Sequence, residues 1–394
     1  MADWLADRTA IVGIGHTAFG KRGEFSDRGP MSLVVEAVEK ACEDAGISPS
    51  EIDGWSSYSL DESEGGDLAF AFGARPVRYT GMTWGGGGAA MGGAYLHAMM
   101  AVATGQVDYC VVTRGICQGL NPYGKALAKS SGLPAAFSFA VPYGLMSPAQ
   151  MFGLSARRHM HLYGTTIDHF AEVTINARLM AANNPLARFR DPITVEEHHA
   201  SPLMADPIRK LDMCMESDVG VAVLITSTER ARDLRQPPVL LRGAALGSPW
   251  RWGQGNLGNS NMRDEDFASA GQRTVAQDLY AKTGLGPEDV DVAQIYDHFT
   301  PMVIMGLEDF GFCGTGEGGP FVADGNIRMT GSLPLNTSGG NLAEVYSHGM
   351  THVVEGVRQL RGTSCNQVEG AEVCLVVGGA GPTPTSALML RRWS

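Results

Sequence analysis

The sequence predicts an α/β fold built from two similar halves, and three observations predict it. Short apolar runs closed by glycine, such as Thr9-Ala10-Ile11-Val12-Gly13-Ile14-Gly15, have the pattern of buried strands. Between such runs lie stretches with helical spacing, clearest at Leu33, Val34, Ala37, Val38 and Ala41, which start after Ser32 and stop at Gly46. The unit then recurs. A second helix from Val275 to Lys282 stops at Gly284. The turn Leu285-Gly286-Pro287-Glu288-Asp289-Val290-Asp291 matches Ile47-Ser48-Pro49-Ser50-Glu51-Ile52-Asp53, and a strand, Val292 to Tyr296, follows.

A second correspondence joins Val107-Asp108-Tyr109-Cys110-Val111-Val112 to Ala371-Glu372-Val373-Cys374-Leu375-Val376-Val377, in the same order along the chain. Two halves therefore divide the chain at about residue 230, as 1–230 and 231–394, and differ by loop insertions. Within the first half, Gln118 to Glu216 departs from the repeat and reads as an inserted cap over a substrate entrance. Tyr143, Met146, Met151, Phe152, Met160 and Leu162 in it are candidates for an apolar acyl pocket, with ordinary core as the alternative. Arg157, Arg158, His159 and His161 lie on a helix ending at Gly164, either facing phosphates or forming a solvated face.

Composition narrows the function classes. The 394 residues are 44% hydrophobic and 18% charged, enough for a large core. A net charge of −12 argues against nucleic acid as a partner. The N-terminus lacks a basic stretch followed by an apolar one, and no apolar run reaches spanning length, so a cytoplasmic protein without a membrane partner is expected. Seven scattered cysteines without any Cys-x-x-Cys pair suggest neither disulfides nor a metal site, and read mostly as small buried hydrophobes. Gly13 and Gly15 suggest a dinucleotide fingerprint, but His16-Thr17-Ala18-Phe19-Gly20 does not open a helix where that motif needs one.

The most informative stretch is Leu335-Asn336-Thr337-Ser338-Gly339-Gly340-Asn341-Leu342-Ala343-Glu344-Val345-Tyr346-Ser347-His348-Gly349-Met350, where glycine lets polar side chains crowd the backbone. It resembles the C-terminal active-site loop of the thiolase superfamily, Asn-x-x-Gly-Gly followed by Gly-His-Pro, with Tyr346 at the position of the catalytic histidine. Tyr296-Asp297-His298-Phe299 resembles that family's Asn-Glu-Ala-Phe or His-Asp-Cys-Phe box, again with tyrosine leading. Trp84-Gly85-Gly86-Gly87-Gly88-Ala89-Ala90-Met91-Gly92-Gly93 lies where the family carries its nucleophilic cysteine, and if the motif glycine is Gly88 that position is Gly85. Tight helix packing is an equal reading of these glycines. The family's second cysteine would fall near Leu375, with Cys374 facing the opposite side of its strand.

The resemblance covers most of the chain and is nearest to the lipid-transfer-type thiolase-like proteins, some of which are aldolases of steroid side-chain breakdown. It implies a thiolase-like layered fold, a homodimer, and a heterotetramer with a small partner of the DUF35 family that carries an oligonucleotide-binding-type barrel. Coenzyme A would enter as part of the substrate, with no bound prosthetic group. Without the elbow cysteine an acyl group cannot be parked, so thiolysis is disfavoured. Retro-aldol cleavage of a 3-hydroxyacyl thioester needs only a base for the hydroxyl, donors for the enolate oxygen and an acid for the carbon. Tyr296 and Tyr346 are the candidate proton-transfer pair, with His298 as orienting or acid/base partner. A phenol ionises at about pH 10, so a tyrosine base needs a donor or positive charge nearby, which His298 or His348 would supply. Gly85, Gly86, Asn336, Gly339, Gly340 and His348 are the candidate substrate-binding residues. A non-catalytic acyl-CoA or sterol carrier, a scaffold subunit and a cysteine-independent acyltransferase are the alternatives.

Overall fold

The first half begins with strand β1 (Thr9–His16) and helix α1 (Gly29–Ala45). Pro30 is set in the first turn of α1, and Gly46, in the left-handed conformation, closes it through bonds to Cys42 and Glu43 carbonyls. Its buried stripe runs Leu33, Val34, Ala37, Val38, Ala41, Cys42 and Ala45, each large aliphatic side chain contributing about 1.5–3 kcal/mol by leaving water. Strands β2 (Gly54–Tyr58) and β3 (Tyr79–Thr83), helix α2 (Met91–Ala103) and strand β4 (Tyr109–Cys117) follow. The structure, a computed structural model, describes residues 4–59, 61–120, 141–249, 264–381 and 384–393.

The inserted segment supplies helices α3 (Pro148–Tyr163) and α4 (Ile167–Ala182), each opened by a capping box, Ser147 with Gln150 and Thr166 with His169. Strand β5 (Ser217–Ser227) then returns through the sheet and β6 (Val239–Gly247) starts the second half. That half continues with helix α5 (Arg273–Thr283), strand β7 (Val292–Ile295), helices α6 (Thr300–Asp309), α7 (Gly340–Ala343) and α8 (Met350–Arg361), and strands β8 (Val373–Val377) and β9 (Thr385–Arg392).

Among the described residues these strands form one mixed sheet in the order β7-β8-β9-β6-β1-β5-β4-β2-β3, with the short strand Gly20–Lys21 beside β5, while Leu203–Ala205 and Ile208–Arg209 pair separately. The repeat is visible in the pairing. β2 runs parallel to β4, β4 antiparallel to β5, and β5 antiparallel to β1; in the same way β7 is parallel to β8, β8 antiparallel to β9, and β9 antiparallel to β6. Gly54 faces Cys110 across the first parallel pair and Val292 faces Cys374 across the second. Gly284 closes α5 in the left-handed conformation just as Gly46 closes α1. β1 and β6 join the halves at Ala10 opposite Leu240 and Ile11 opposite Val239.

α4 packs against α6, α7 and the helix Gly318–Ala323, all in the second half. A buried pair, His159 on α3 with Glu308 on α6 at 3.1 Å, fastens the segment there. His159 is therefore not part of a phosphate-facing surface, and Arg157 is paired with Asp206. Tyr143, Met146 and Leu162 are exposed, whereas Met151 is core. Among the described residues no helix is long and apolar enough to cross a membrane.

Candidate active site

Parallel pairing continues one residue past β7, where the Tyr296 amide donates to the Val377 carbonyl at 3.1 Å and so sets the tyrosine at the end of the strand. The loop bearing Tyr346 is laid across this end by side chains of its own motif. Asn336, itself at φ +51°, accepts from the Ile295 amide at 2.8 Å and donates to the Ile295 carbonyl at 2.9 Å. Asp297 accepts from the Asn341 and Leu342 amides at the start of α7, and from His352 Nε2 at 3.1 Å. Gly340 has φ +60°, and a β-carbon there would lie 2.3 Å from Asp297 Oδ2. At Gly339 it would lie 2.8 Å from Ala181 on α4. The side chain of Asn336 and the space beside Gly339 and Gly340 are taken up by these contacts, which shape the loop.

The result is convergence of two phenols fifty positions apart in sequence. Tyr296 Oη donates to Tyr346 Oη at 3.1 Å, both residues being buried. The Tyr346 amide is held by Ser217 Oγ at the start of β5, at 3.1 Å. His298 lies beside Tyr296, ring centroids 4.9 Å apart, and Phe152 of α3 stands edge-on to it at 4.7 Å. His348 meets the Tyr346 ring at 5.0 Å. The glycine run comes from the other half: a β-carbon at Gly88 would lie 2.2 Å from Tyr296 Cε2, and one at Gly87 would lie 3.9 Å from His348 Nε2. Gly85 instead faces Ala90, and Gly86 is exposed with its carbonyl taking the Ala89 amide. The glycines against the tyrosine and histidine are Gly88 and Gly87, in the short helical turn Gly87–Ala90.

Neither histidine is a cation. Burial pushes the His298 imidazole down to about 4, against the opposing pull of Asp297 and the Tyr296 backbone. Burial and then the Arg114 guanidinium hold His348 well below its ordinary value. Of the donor or positive charge expected from His298 or His348, a neutral imidazole leaves the donor, and the nearby fixed charge is Arg114, whose Nε donates to His348 Nδ1 at 3.0 Å. Sequence reasoning missed Arg114, although a lone cation inside the apolar run Val111 to Ile116 was the available signal, since a buried charge needs a partner.

The thiols do not replace the absent elbow nucleophile. Cys42, Cys110, Cys117 and Cys374 are buried, Cys214 and Cys313 are partly covered, and Cys365 is exposed, where the expectation of a buried hydrophobe fails. Burial raises the Cys110, Cys374 and Cys214 thiols, the last helped by Asp297, so each is a poor thiolate. A cavity of about 260 Å³ lined by Trp55, Ser63, Glu64, Thr80 and Met82 lies on the β2–β3 side. None of the site residues named above lines it.

Residues 253–391 match the family model described as thiolase C-terminal domain-like. The chain is 43% identical over 98% of its length to all of the 17-hydroxy-3-oxo-4-pregnene-20-carboxyl-CoA lyase of Mycobacterium tuberculosis. It is 42% identical, with 98% of each chain covered, to the steroid side-chain-cleaving aldolase of Thermomonospora curvata. Among solved structures it superposes on the Ltp2-ChsH2(DUF35) aldolase with a TM-score of 0.90 at 39% identity, covering 98% of both chains.

Proposed function

Since the chain belongs to the thiolase superfamily, among its steroid side-chain-cleaving aldolases, we propose that it cleaves a carbon–carbon bond of a 3-hydroxyacyl-CoA thioester by retro-aldol chemistry. The substrate is a steroid whose side-chain thioester sits two carbons from a 17-hydroxyl, and the products are a 17-ketosteroid and propionyl-CoA. The observation that carries this reading is the Tyr296–Tyr346 contact of 3.1 Å in a site with no activated thiol beside it.

The steps follow from the bond to be broken. As one phenol of the pair takes the 17-hydroxyl proton it passes its own to the second, which gives its proton up toward the enolate carbon. The oxygen's electrons form the ketone, and the electrons of the cleaved bond pass into the thioester as an enolate. The proton returned to the enolate carbon completes propionyl-CoA, so no acceptor thiol is required. Two hydrogen-bonded phenols suit this sequence, because one proton leaves and one arrives and the pair ends as it began. His298, neutral and packed on Tyr296, serves as the orienting partner. Gly87 and Gly88 keep the floor low enough for a thioester to approach.

The working assembly is a heterotetramer of a homodimer of this chain with two DUF35 partners, in the cytoplasm. The partner is supported by the aldolase complex on which the chain superposes. The homodimer is supported by the open edge strand β3, where Met82 is 43% and the adjoining Trp84 64% exposed.

The test is turnover of the 17-hydroxy acyl-CoA steroid by the purified chain with its partner. Tyr296→Phe and Tyr346→Phe should each lower the rate by about 100-fold or more, the usual scale for a lost general acid or base, with folding nearly unchanged. Cys110→Ala and Cys374→Ala should leave turnover largely intact. Near-normal cleavage by both phenylalanine variants, or an acyl group trapped on any cysteine, returns the protein to the acyltransferases. Binding without turnover makes it a carrier.

A further inference from the structure

Arg114 on β4 is 6% exposed, and every polar contact recorded for it points at one place. Nη1 donates to the Tyr58 and Ser59 carbonyls at the end of β2, and Nε donates to His348 Nδ1 at 3.0 Å. The guanidinium lies 5.2 Å from the Tyr58 ring centroid, and Tyr58 Oη donates to the His348 carbonyl at 2.8 Å. One residue is thus gripped from both its ends by β2 and β4. It holds φ +54°, a conformation that residues with a β-carbon rarely adopt and that persists only where the surroundings over-determine it.

We propose that Arg114 is a positioning residue that fixes His348 as the neutral tautomer with its proton on Nε2, presented as a donor to the thioester oxygen on which charge develops. A guanidinium has only N–H donors and no lone pair, so the Nδ1 facing it has to be the acceptor and the ring proton has to sit on Nε2. Nε2 is the nitrogen toward Gly87, where no side chain intervenes, and no acceptor for it is recorded among the described residues. The groups meeting the ring are Tyr346 of its own loop and Arg114 of β4, and Tyr58 of β2 holds the residue's backbone carbonyl. Asp61, beyond Tyr58, is close enough for Arg114 to act against the upward push of burial on its carboxyl. None of these draws a second proton onto the ring. A pre-oriented donor aimed at a developing oxyanion is worth far more in such a water-poor site than in solution, and a neutral imidazole serves that role.

This rests on the retro-aldol reading, and the test separates the two. In the chain with its partner bound, ¹⁵N-histidine spectra should show His348 protonated on Nε2 and bare on Nδ1 from pH 5 to 9. Arg114→Met frees Nδ1, so the neutral ring distributes its proton over both nitrogens. The turnover number should fall roughly 10-fold or more at pH 8, with KM within a few fold. That loss should shrink only as pH falls well below the ordinary histidine value, where the ring takes a second proton and again carries one on Nε2, since burial still holds the ring down without Arg114. A merely structural role gives a loss independent of pH. His348→Gln, which keeps an N–H near the Nε2 position, should retain more activity than His348→Ala. If Tyr346→Phe abolishes turnover while Arg114→Met changes neither tautomer nor pH profile, the inference falls and the reaction assignment stands. If Tyr346→Phe and Tyr296→Phe are both near-normal, the assignment itself falls. Should Arg114→Met fail to fold, the wild-type spectrum decides, and a bare Nε2 overturns the proposal.

Discussion

Gly88→Ala is the sharpest perturbation of the tyrosine pair, because it adds one carbon at a point whose neighbours are known. Gly88 does not have a positive φ, so alanine meets no backbone objection and the effect is purely steric. The added carbon would lie 2.2 Å from Tyr296 Cε2, 2.7 Å from its Cζ and 2.7 Å from the His348 carbonyl. Carbon atoms rest about 3.5–4 Å apart, so the ring has to retreat by more than about 1 Å. Beside that ring stand His298 and, at its hydroxyl, the Tyr346 hydroxyl. A displacement of that size at reacting groups costs on the order of 100-fold in rate, while overpacking costs about 1–3 kcal/mol of stability. The assay is ketone release at saturating substrate, paired with thermal denaturation. Gly66→Ala is the control, since its added carbon would meet nothing nearer than Glu64 Oε1 at 3.9 Å. The diagnostic arm is Tyr296→Phe with and without Gly88→Ala. If the clash acts by moving the phenol, it costs little once the hydroxyl is gone. An equal fold-loss in both backgrounds would refute the reasoning, as would a folded Gly88→Ala protein within a few fold of the wild-type rate.

Two further predictions concern pH. His298 is held neutral down to about 4, whereas an exposed histidine takes its proton near 6.5, so between those values the unfolded chain binds a proton that the folded one refuses. Its contribution is fully present above about pH 6.5 and is lost as pH falls to about 4, a difference of about 3 kcal/mol. Urea melts at pH 7.5 and 4.5 should show a smaller acid loss for His298→Gln than for wild type, and equal losses would sink the argument. Glu344 runs the other way: burial raises its carboxyl to about 7, with Glu355 adding to the rise against Arg358, Ser338 and Asn184. Here the folded chain holds the proton between pH 4.5 and about 7, so stability falls as pH rises through that window. Glu344→Gln should therefore raise the melting temperature at pH 8 and give no gain at pH 4. A shift of the same size at both would show that the carboxyl's charge is not the cause.

What could be read in the sequence was local and repeated. Gly46 and Gly284 announce themselves because only glycine takes the left-handed cap without cost, and the turns after them use the same Pro-x-acidic pattern. The two tyrosines were legible because each sits in a motif whose neighbours are unusual for a core. The roles of those neighbours were not legible. Asn336 looks like a ligand group in a glycine-rich loop, and becomes a brace only when Ile295 of another strand is placed against it. His159 looks like part of a basic helix face until α6 brings Glu308 to it. The charge state of His348 depends on Arg114, 234 positions away, and burial decides it more than any flanking residue does. No periodicity carries that information, because it arises from which half-buried strand ends the sheet order sets side by side.

The electrostatic character of the site follows from the same contacts and bears on the reaction it suits. In a thiolase the elbow cysteine works as an anion and requires a basic partner to make it. Here the elbow holds glycine, the imidazoles beside the phenols are neutral, and the charge of Arg114 is turned toward carbonyls and a ring nitrogen. A resting site without a nucleophilic anion has no means of attacking a thioester carbonyl. It is well matched to a substrate that brings its own neutral hydroxyl and develops charge only as its carbon–carbon bond stretches. Donors fixed beforehand then meet that charge without rearranging, which is where they lower a barrier rather than merely tighten binding. Adding a cysteine at Gly85, the elbow position, would not restore the older chemistry, because its β-carbon would lie 2.6 Å from that of Ala90.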